Sequence, residues 1–145
     1  MCRYANCFIV LNVSWLKRFF GNKNKNFSVE ITDLDFDLSE EELIEKFSKL
    51  SNANRLSAVV KYGDTDDFKY FVLIKYSIQQ DADINVKFAA LKRIHIFKDH
   101  PEVATMLTEL KKHINTKALE PYYSMALSKC GIISIEEFKD RMNRP

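Results

Sequence analysis

Three carboxylates stand at alternate positions in Asp33-Leu34-Asp35-Phe36-Asp37. In an extended segment, Asp33, Asp35 and Asp37 share one face, where a hard cation could bind. A calcium loop beginning there requires Gly at its sixth position and Glu at its twelfth. Leu38 and Ile44 occupy those places, so the template fails and no metal is expected. The acids belong to a wider asymmetry. Residues 30–45 hold eight acids and no base, whereas residues 1–29 hold five bases and no acid. Two readings follow. The acids either lead into the negatively charged first turn of a helix, or they form a face for a basic partner protein.

Other chemistry is thin. His95, His100 and His113 fall outside any H-E-x-x-H pattern. Cys2, Cys7 and Cys130 have no C-x-x-C spacing and are odd in number, against both a zinc site and a disulfide framework. There is no G-x-S-x-G and no Gly-rich phosphate loop, and the chain has only three glycines. No enzyme and no cofactor are expected. One basic and aromatic cluster stands out: Lys61, Lys69 and Lys75 interleave with Tyr62, Tyr70, Phe71 and Tyr76. That composition suits a surface that stacks single-stranded nucleic acid.

The elements that must position these groups are read from periodicity. Phe27 to Thr32 alternates as a half-buried strand. Ser39 is the N-cap of a helix, with Glu42 completing a capping box and Leu38 and Leu43 forming a hydrophobic staple. Leu43, Ile44, Phe47 and Leu50 give that helix an apolar face. Leu56–Tyr62 and Phe68–Ser77 are rich in β-branched and aromatic residues and read as two strands, joined by a hairpin loop over 63–67. On the second strand, Lys69, Phe71, Leu73 and Lys75 share the face opposite Tyr70, Val72, Ile74 and Tyr76. That mixed face is expected to meet a partner or the chain's own helices. Asp81 or Asp83 caps a second helix, and Ile94–Ile96 fits either its end or a short strand. The last third reads as helical. Val103, Met106, Leu107, Leu110 and Ile114 form one stripe, and a further helix starts at Glu120-Pro121. Gly131 ends that helix in the left-handed conformation, and Ser134 caps a final one.

Val29-Glu30-Ile31-Thr32-Asp33-Leu34, Asp37 through Leu50 and Phe71-Val72 together resemble a degenerate RNA-recognition motif, or more broadly a ferredoxin-like βαββαβ unit, over residues 27–97. The resemblance implies RNA stacked on aromatics of two central strands. Glu30 replaces the aromatic of the first strand and Lys69 one of the third, so only Phe71 survives. Leu127, Gly131 through Phe138 and Arg141 resemble the short C-terminal SHOCT helical hairpin of bacterial proteins. That family is associated with oligomerisation, which implies self-association through the C-terminal helices.

Composition bounds the rest. The chain has 145 residues, is 46% hydrophobic and carries a net charge of +2, which places it among globular chains and gives no charge-based case for nucleic acid. No run approaches a membrane span of about 20 apolar residues. The apolar stretch Cys7–Phe20 lacks the charge order of a secretory signal, so a cytoplasmic location is expected. Trp15, Leu16, Phe19 and Phe20 share one face of a short amphipathic helix, with Lys17 and Arg18 off it. Such a segment can lie on its own domain, on a partner groove or peripherally on a membrane.

The expectation is an α+β fold. Residues 1–26 form an amphipathic segment and joint. Residues 27–97 form a core with a three- or four-stranded antiparallel sheet in ferredoxin-like order, and residues 98–145 form C-terminal helices. The expected function is non-enzymatic protein binding of the adaptor, inhibitor or immunity-protein kind. Asp33, Asp35, Asp37, Lys69, Phe71 and Leu73 are the expected partner contacts. Single-stranded nucleic-acid binding through the hairpin face is the second reading, and membrane-surface anchoring through residues 15–20 the third.

Overall fold

A computed structural model describes residues 34–112 and 117–143 of the chain. Among these residues there is no strand. Seven α-helices follow one another: α1 Glu40–Ser48, α2 Asn52–Gly63, α3 Phe71–Gln79, α4 Ile84–Arg93, α5 Val103–Leu110, α6 Glu120–Lys129 and α7 Ile135–Met142. Short 3-10 helices, Phe68–Tyr70 and Ile94–Phe97, precede α3 and follow α4. The α+β, ferredoxin-like expectation is therefore wrong for the described residues, and the fold implied by the RNA-recognition-motif resemblance falls with it. The first expected strand (27–32), the segment 15–20, Asp33, His113 and Ile114 lie outside the described residues.

The physical reason for the error is visible in the two misread segments. Leu56–Tyr62 was expected to be a strand because of its β-branched and aromatic residues. In α2 the buried set is Ala58, Val59, Tyr62 and Gly63, spaced three and four apart. Strand propensity measures fit to a half-buried surface, and packing against helices outweighs it here. Ser51 is the N-cap of this helix, and its hydroxyl accepts from the Asn54 N–H at 3.2 Å. The second segment, Phe68–Ser77, is apolar at seven of its ten positions, including the unbroken run Tyr70–Ile74, so periods of two and of 3.6 both fit it. In α3, Phe71, Leu73, Ile74, Ser77 and Ile78 are all buried, which is how a central helix behaves. The expected hairpin loop at 63–67 is a helix-to-helix connection, and Asp67 caps it by accepting from the Lys69 N–H at 3.1 Å. Ile94–Phe97 is a 3-10 turn, not a strand.

The start and stop chemistry is as the sequence spells it. Ser39 and Glu42 form the reciprocal capping box of α1. Asp83 caps α4 through the Asn85 and Val86 N–H groups. Gly131, at φ 72°, terminates α6 in a Schellman turn, in which Ile132 N–H donates to Leu127 O and Gly131 N–H to Ser128 O. Ser134 caps α7 by accepting from Glu137 N–H.

Packing centres on α3 and α4. The two lie against each other, α2 packs on both, α1 on α3, and α6 on α4. One apolar cluster runs through the bundle from Leu43 and Phe47 to Tyr123 and Leu127 and includes Leu73, Ile74, Leu91, Ile94, Phe97 and Leu107. Gly63 is required where α2 ends against α3 and α4. A Cβ there would lie 2.7 Å from Arg93 Cδ and 2.9 Å from Ile74 Cδ1. Polar bonds stitch the same elements. Tyr123 Oη, inside the core, donates to the Leu107 carbonyl at 2.7 Å. Arg55 Nε and Nη2 grip Asp81 at 2.8 and 3.1 Å, fixing the α3–α4 turn to the start of α2.

Candidate partner-docking groove

The described surface has a concavity of about 230 Å³ between the segment entering α1, the 3-10 turn ahead of α3, α3 itself and the turn into α5. Phe36, Leu38, Leu43, Phe71 and Val72 supply its apolar lining, and Phe68 stands at it 46% exposed. A volume this small lies below the 300–1,000 Å³ common for small-molecule sites and suits one or two inserted side chains.

Each wall has a local cause. The segment 34–39 is held across the bundle by its own backbone and rings. Leu34 N–H donates to Tyr62 Oη at 3.2 Å, and the Phe36 ring meets Tyr62 and Tyr70 edge-on at 4.7 and 4.5 Å. Leu38 and Leu43, on either side of the α1 cap, both line the groove and bring the start of α1 to it. On the opposite side His100 stacks on Phe71 at 3.9 Å between ring centroids and meets Phe68 edge-on at 5.2 Å. Its Nδ1 accepts the Glu102 N–H at 3.3 Å, which holds the ring against the turn into α5.

The charges around the groove fall into two sets. Lys75 pairs with Glu102, and that hydrogen bond holds the Glu102 carboxyl below its usual range. Lys69 pairs with Asp67 at 3.3 Å and lies over the Tyr70 ring. Those cations are already engaged. By contrast, Asp35, Asp37, Glu40 and Glu41 are exposed and make no ion pair among the described residues. Asp35 only accepts the Asp37 N–H, at 3.0 Å. Among the described residues, the carboxylates at the entry to α1 are the groove's unpaired charges.

The expected contact residues are distributed as follows. Lys69 and Phe71 line the groove, with Phe71 nearly buried in its floor. Asp35 and Asp37 lie on the segment that carries Phe36 and Leu38. Leu73 is fully buried in the core. The alternation that put Lys69, Phe71, Leu73 and Lys75 on one strand face does not exist in a helix, so the hairpin face offered for nucleic acid is not present. Asp33 and the four residues Trp15, Leu16, Phe19 and Phe20 are outside the described residues. Sequence reasoning missed Phe68, His100 and Glu102. The one available signal was Phe68 itself, a large apolar residue between Asp67 and Lys69.

Elsewhere, the nucleophile and base candidates are tied to structure. Burial pushes the Cys130 thiol up to about 11, so little reactive thiolate forms near neutrality. His95 is half-buried in the 3-10 turn after α4, with Nδ1 unpartnered, and burial holds its pKa below the ordinary value. Among the described residues no group of three or more His, Cys, Asp or Glu side chains could hold a metal ion, and no helix is long and apolar enough to cross a membrane. No protein-family model, no curated protein and no solved structure matches the chain.

Proposed function

We propose that this chain is a non-enzymatic protein-binding module whose groove accepts an apolar segment flanked by basic residues. The observation that carries this reading is Phe68, 46% exposed against an aromatic floor and near unpaired carboxylates. Exposed aromatics at the edge of a pocket are the residue type that anchors protein interfaces. The negative field from Asp35, Asp37, Glu40 and Glu41 favours a positively charged partner and disfavours an acidic one. Lys69 and Lys75 each face a carboxylate, so the groove carries no row of unpaired cations of the kind a phosphate backbone needs. The partner class is thus a protein segment with one or two large apolar side chains beside lysine or arginine.

A displayed library of random peptides, panned against the full chain, tests the reading. Enriched peptides should combine an aromatic or large aliphatic residue with basic neighbours. Phe68→Ser should abolish their binding, and Glu40→Lys should weaken it at low salt more than at high salt. Enrichment of acidic peptides, or binding indifferent to both substitutions, would overturn the proposal.

A further inference from the structure

The bundle carries a second surface whose chemistry matches what the groove selects. On it the half-buried rings of Phe88, from α4, and Tyr122, from α6, stack at 4.3 Å between centroids, and Lys92 Nζ lies over Tyr122 at 5.1 Å. Lys92 and Lys129 are exposed and make no ion pair among the described residues. We propose that this basic, aromatic patch of one copy docks at the groove of a second copy, so that the chain associates head to tail. The inference rests on the reading of the groove just given and names one partner for it.

Three observations carry it. The first is charge. Burial holds the pKa of His95 down, and Lys129, Arg93 and Lys98 lower it further. Cations from α4, from the 3-10 turn after it and from α6 thus gather around one half-buried ring. The groove edge offers the opposite sign in Asp35, Asp37, Glu40 and Glu41, exposed and without an ion pair among the described residues. Surfaces of opposite sign steer two molecules into one register. The second is the apolar contact. Phe68, 46% exposed at the groove, meets in the Phe88–Tyr122 pair a surface of its own kind, and aromatic pairs gain beyond the area they bury. The third is separation. Helix α1 packs on α3, α3 on α4, and α4 on α6. The groove is built on α1 and α3 and the patch on α4 and α6, and no residue belongs to both. One molecule can therefore give its patch to one neighbour and its groove to another. A contact of that heterologous kind leaves a free groove at one end and a free patch at the other, so growth continues past the dimer. Helix α7 is the rival surface, with Ile135 60% and Met142 46% exposed. It carries three acids, Glu136, Glu137 and Asp140, against two bases, Lys139 and Arg141, and would bring like charge to the carboxylates of the groove.

Sedimentation velocity of the full chain, from micromolar to millimolar concentration, tests the proposal. The mean sedimentation coefficient should rise with concentration past the value of a dimer, and the rise should shrink as salt is added. Phe68→Ser removes the groove anchor, while Lys92→Glu and Lys129→Glu each reverse a charge of the patch. The Phe68→Ser and Lys92→Glu chains should each stay monomeric, and Lys129→Glu should weaken assembly. All three positions are exposed, and far-UV circular dichroism checks that the helices persist. Mixed in equal amounts, the Phe68→Ser and Lys92→Glu chains should form a one-to-one complex and nothing larger, because the mixture holds one sound patch and one sound groove per pair. Met142→Asp, on α7, should leave assembly unchanged.

A wild-type chain that stays monomeric throughout would overturn the proposal. So would a dimer that never grows, assembly indifferent to both patch substitutions, or a mixture of the two variants that remains monomeric. The two proposals fail separately. Displayed peptides that bind a monomeric wild type would leave the docking function intact and remove the self-association. Assembly that behaves as stated while no peptide is enriched would leave the groove as a self-association surface alone.

Discussion

His95 shows how one side chain couples stability to pH. Its pKa lies below the ordinary 6.5 because burial disfavours the imidazolium, with Lys129 adding repulsion and Arg93 and Lys98 further positive charge nearby. The backbone of Lys92 acts in the opposite direction, but more weakly than burial. The folded chain therefore binds this proton less readily than the unfolded chain does. The neutral ring contributes fully above the unfolded value, and stability is lost as pH falls below about 6.5 through the folded pKa. Thermal denaturation across this range should show the melting temperature falling in the wild type. His95→Gln should flatten that part of the profile, leaving the steeper loss at lower pH to the paired carboxylates. An unchanged profile would remove His95 from the account. At this scale the sequence was informative about caps and poor about surfaces. Ser39, Glu42, Asp83, Gly131 and Ser134 act within three residues of themselves, and local chemistry is what a sequence writes most directly. Phe68 and His100 matter because α3 and the turn into α5 meet, and no local pattern encodes that meeting.

At the scale of elements, the Schellman turn joining α6 to α7 is the sharpest case of sequence dictating geometry. Gly131 has φ 72°, and a Cβ there would meet nothing within 4 Å. Any cost of substitution is thus backbone strain with no steric clash. Gly131→Ala should destabilise the chain by about 1 kcal/mol, read as a lower denaturation midpoint with an unchanged slope. A neutral outcome would mean the turn relaxes without affecting α6. The same scale explains the failed strand reading. Leu56–Tyr62 and Phe68–Ser77 are short and rich in Val, Ile, Tyr and Phe, residues that favour sheets when half-buried. Here both segments face helices, with Phe71, Ile74 and Ile78 on one side of α3 and Leu73 and Ser77 on another. The run Tyr70–Ile74 is apolar at every position and carries no period, so its conformation is decided by the neighbours it meets. The C-terminal helices were legible because Val103, Met106, Leu107 and Leu110 keep a clean spacing of three and four.

For the whole molecule, the Arg55–Asp81 clamp is the polar feature with the largest stake. Their side chains are only 11% and 1% exposed. Arg55 also donates to the Leu50 carbonyl at 2.6 Å and to Asn52 Oδ1 at 3.0 Å, while Asp81 accepts the Asp83 N–H at 2.8 Å. The hydrogen bond to Asp81 raises the already high pKa of Arg55, which stays charged throughout. Asp81→Ala would leave a guanidinium buried without its counter-ion and should cost about 3–5 kcal/mol in chemical denaturation. Arg55→Met with Asp81→Leu should cost clearly less than the sum of the single changes, because the pair is removed together. Full recovery is not expected, since the Asp83 N–H loses its acceptor too. Additive costs would show that the two residues act independently. Neither the clamp nor the groove was legible in the sequence, as both depend on residues 26 or more positions apart, in the clamp, and on four separate elements, in the groove.

The helix α7 adds a different kind of consequence. None of its residues is fully buried, and its main neighbour is α6, reached through the turn at Gly131. The core that runs from Leu43 to Leu127 is already closed before α7 begins. Opening this helix would expose little apolar surface, so it forms the natural candidate for the lowest-energy opening of the bundle. Sequence drift is correspondingly cheap there. Substitutions along Ile135–Met142 can accumulate without reaching the groove, which no residue of α7 lines, and this lets the tail diverge while the docking end is held constant.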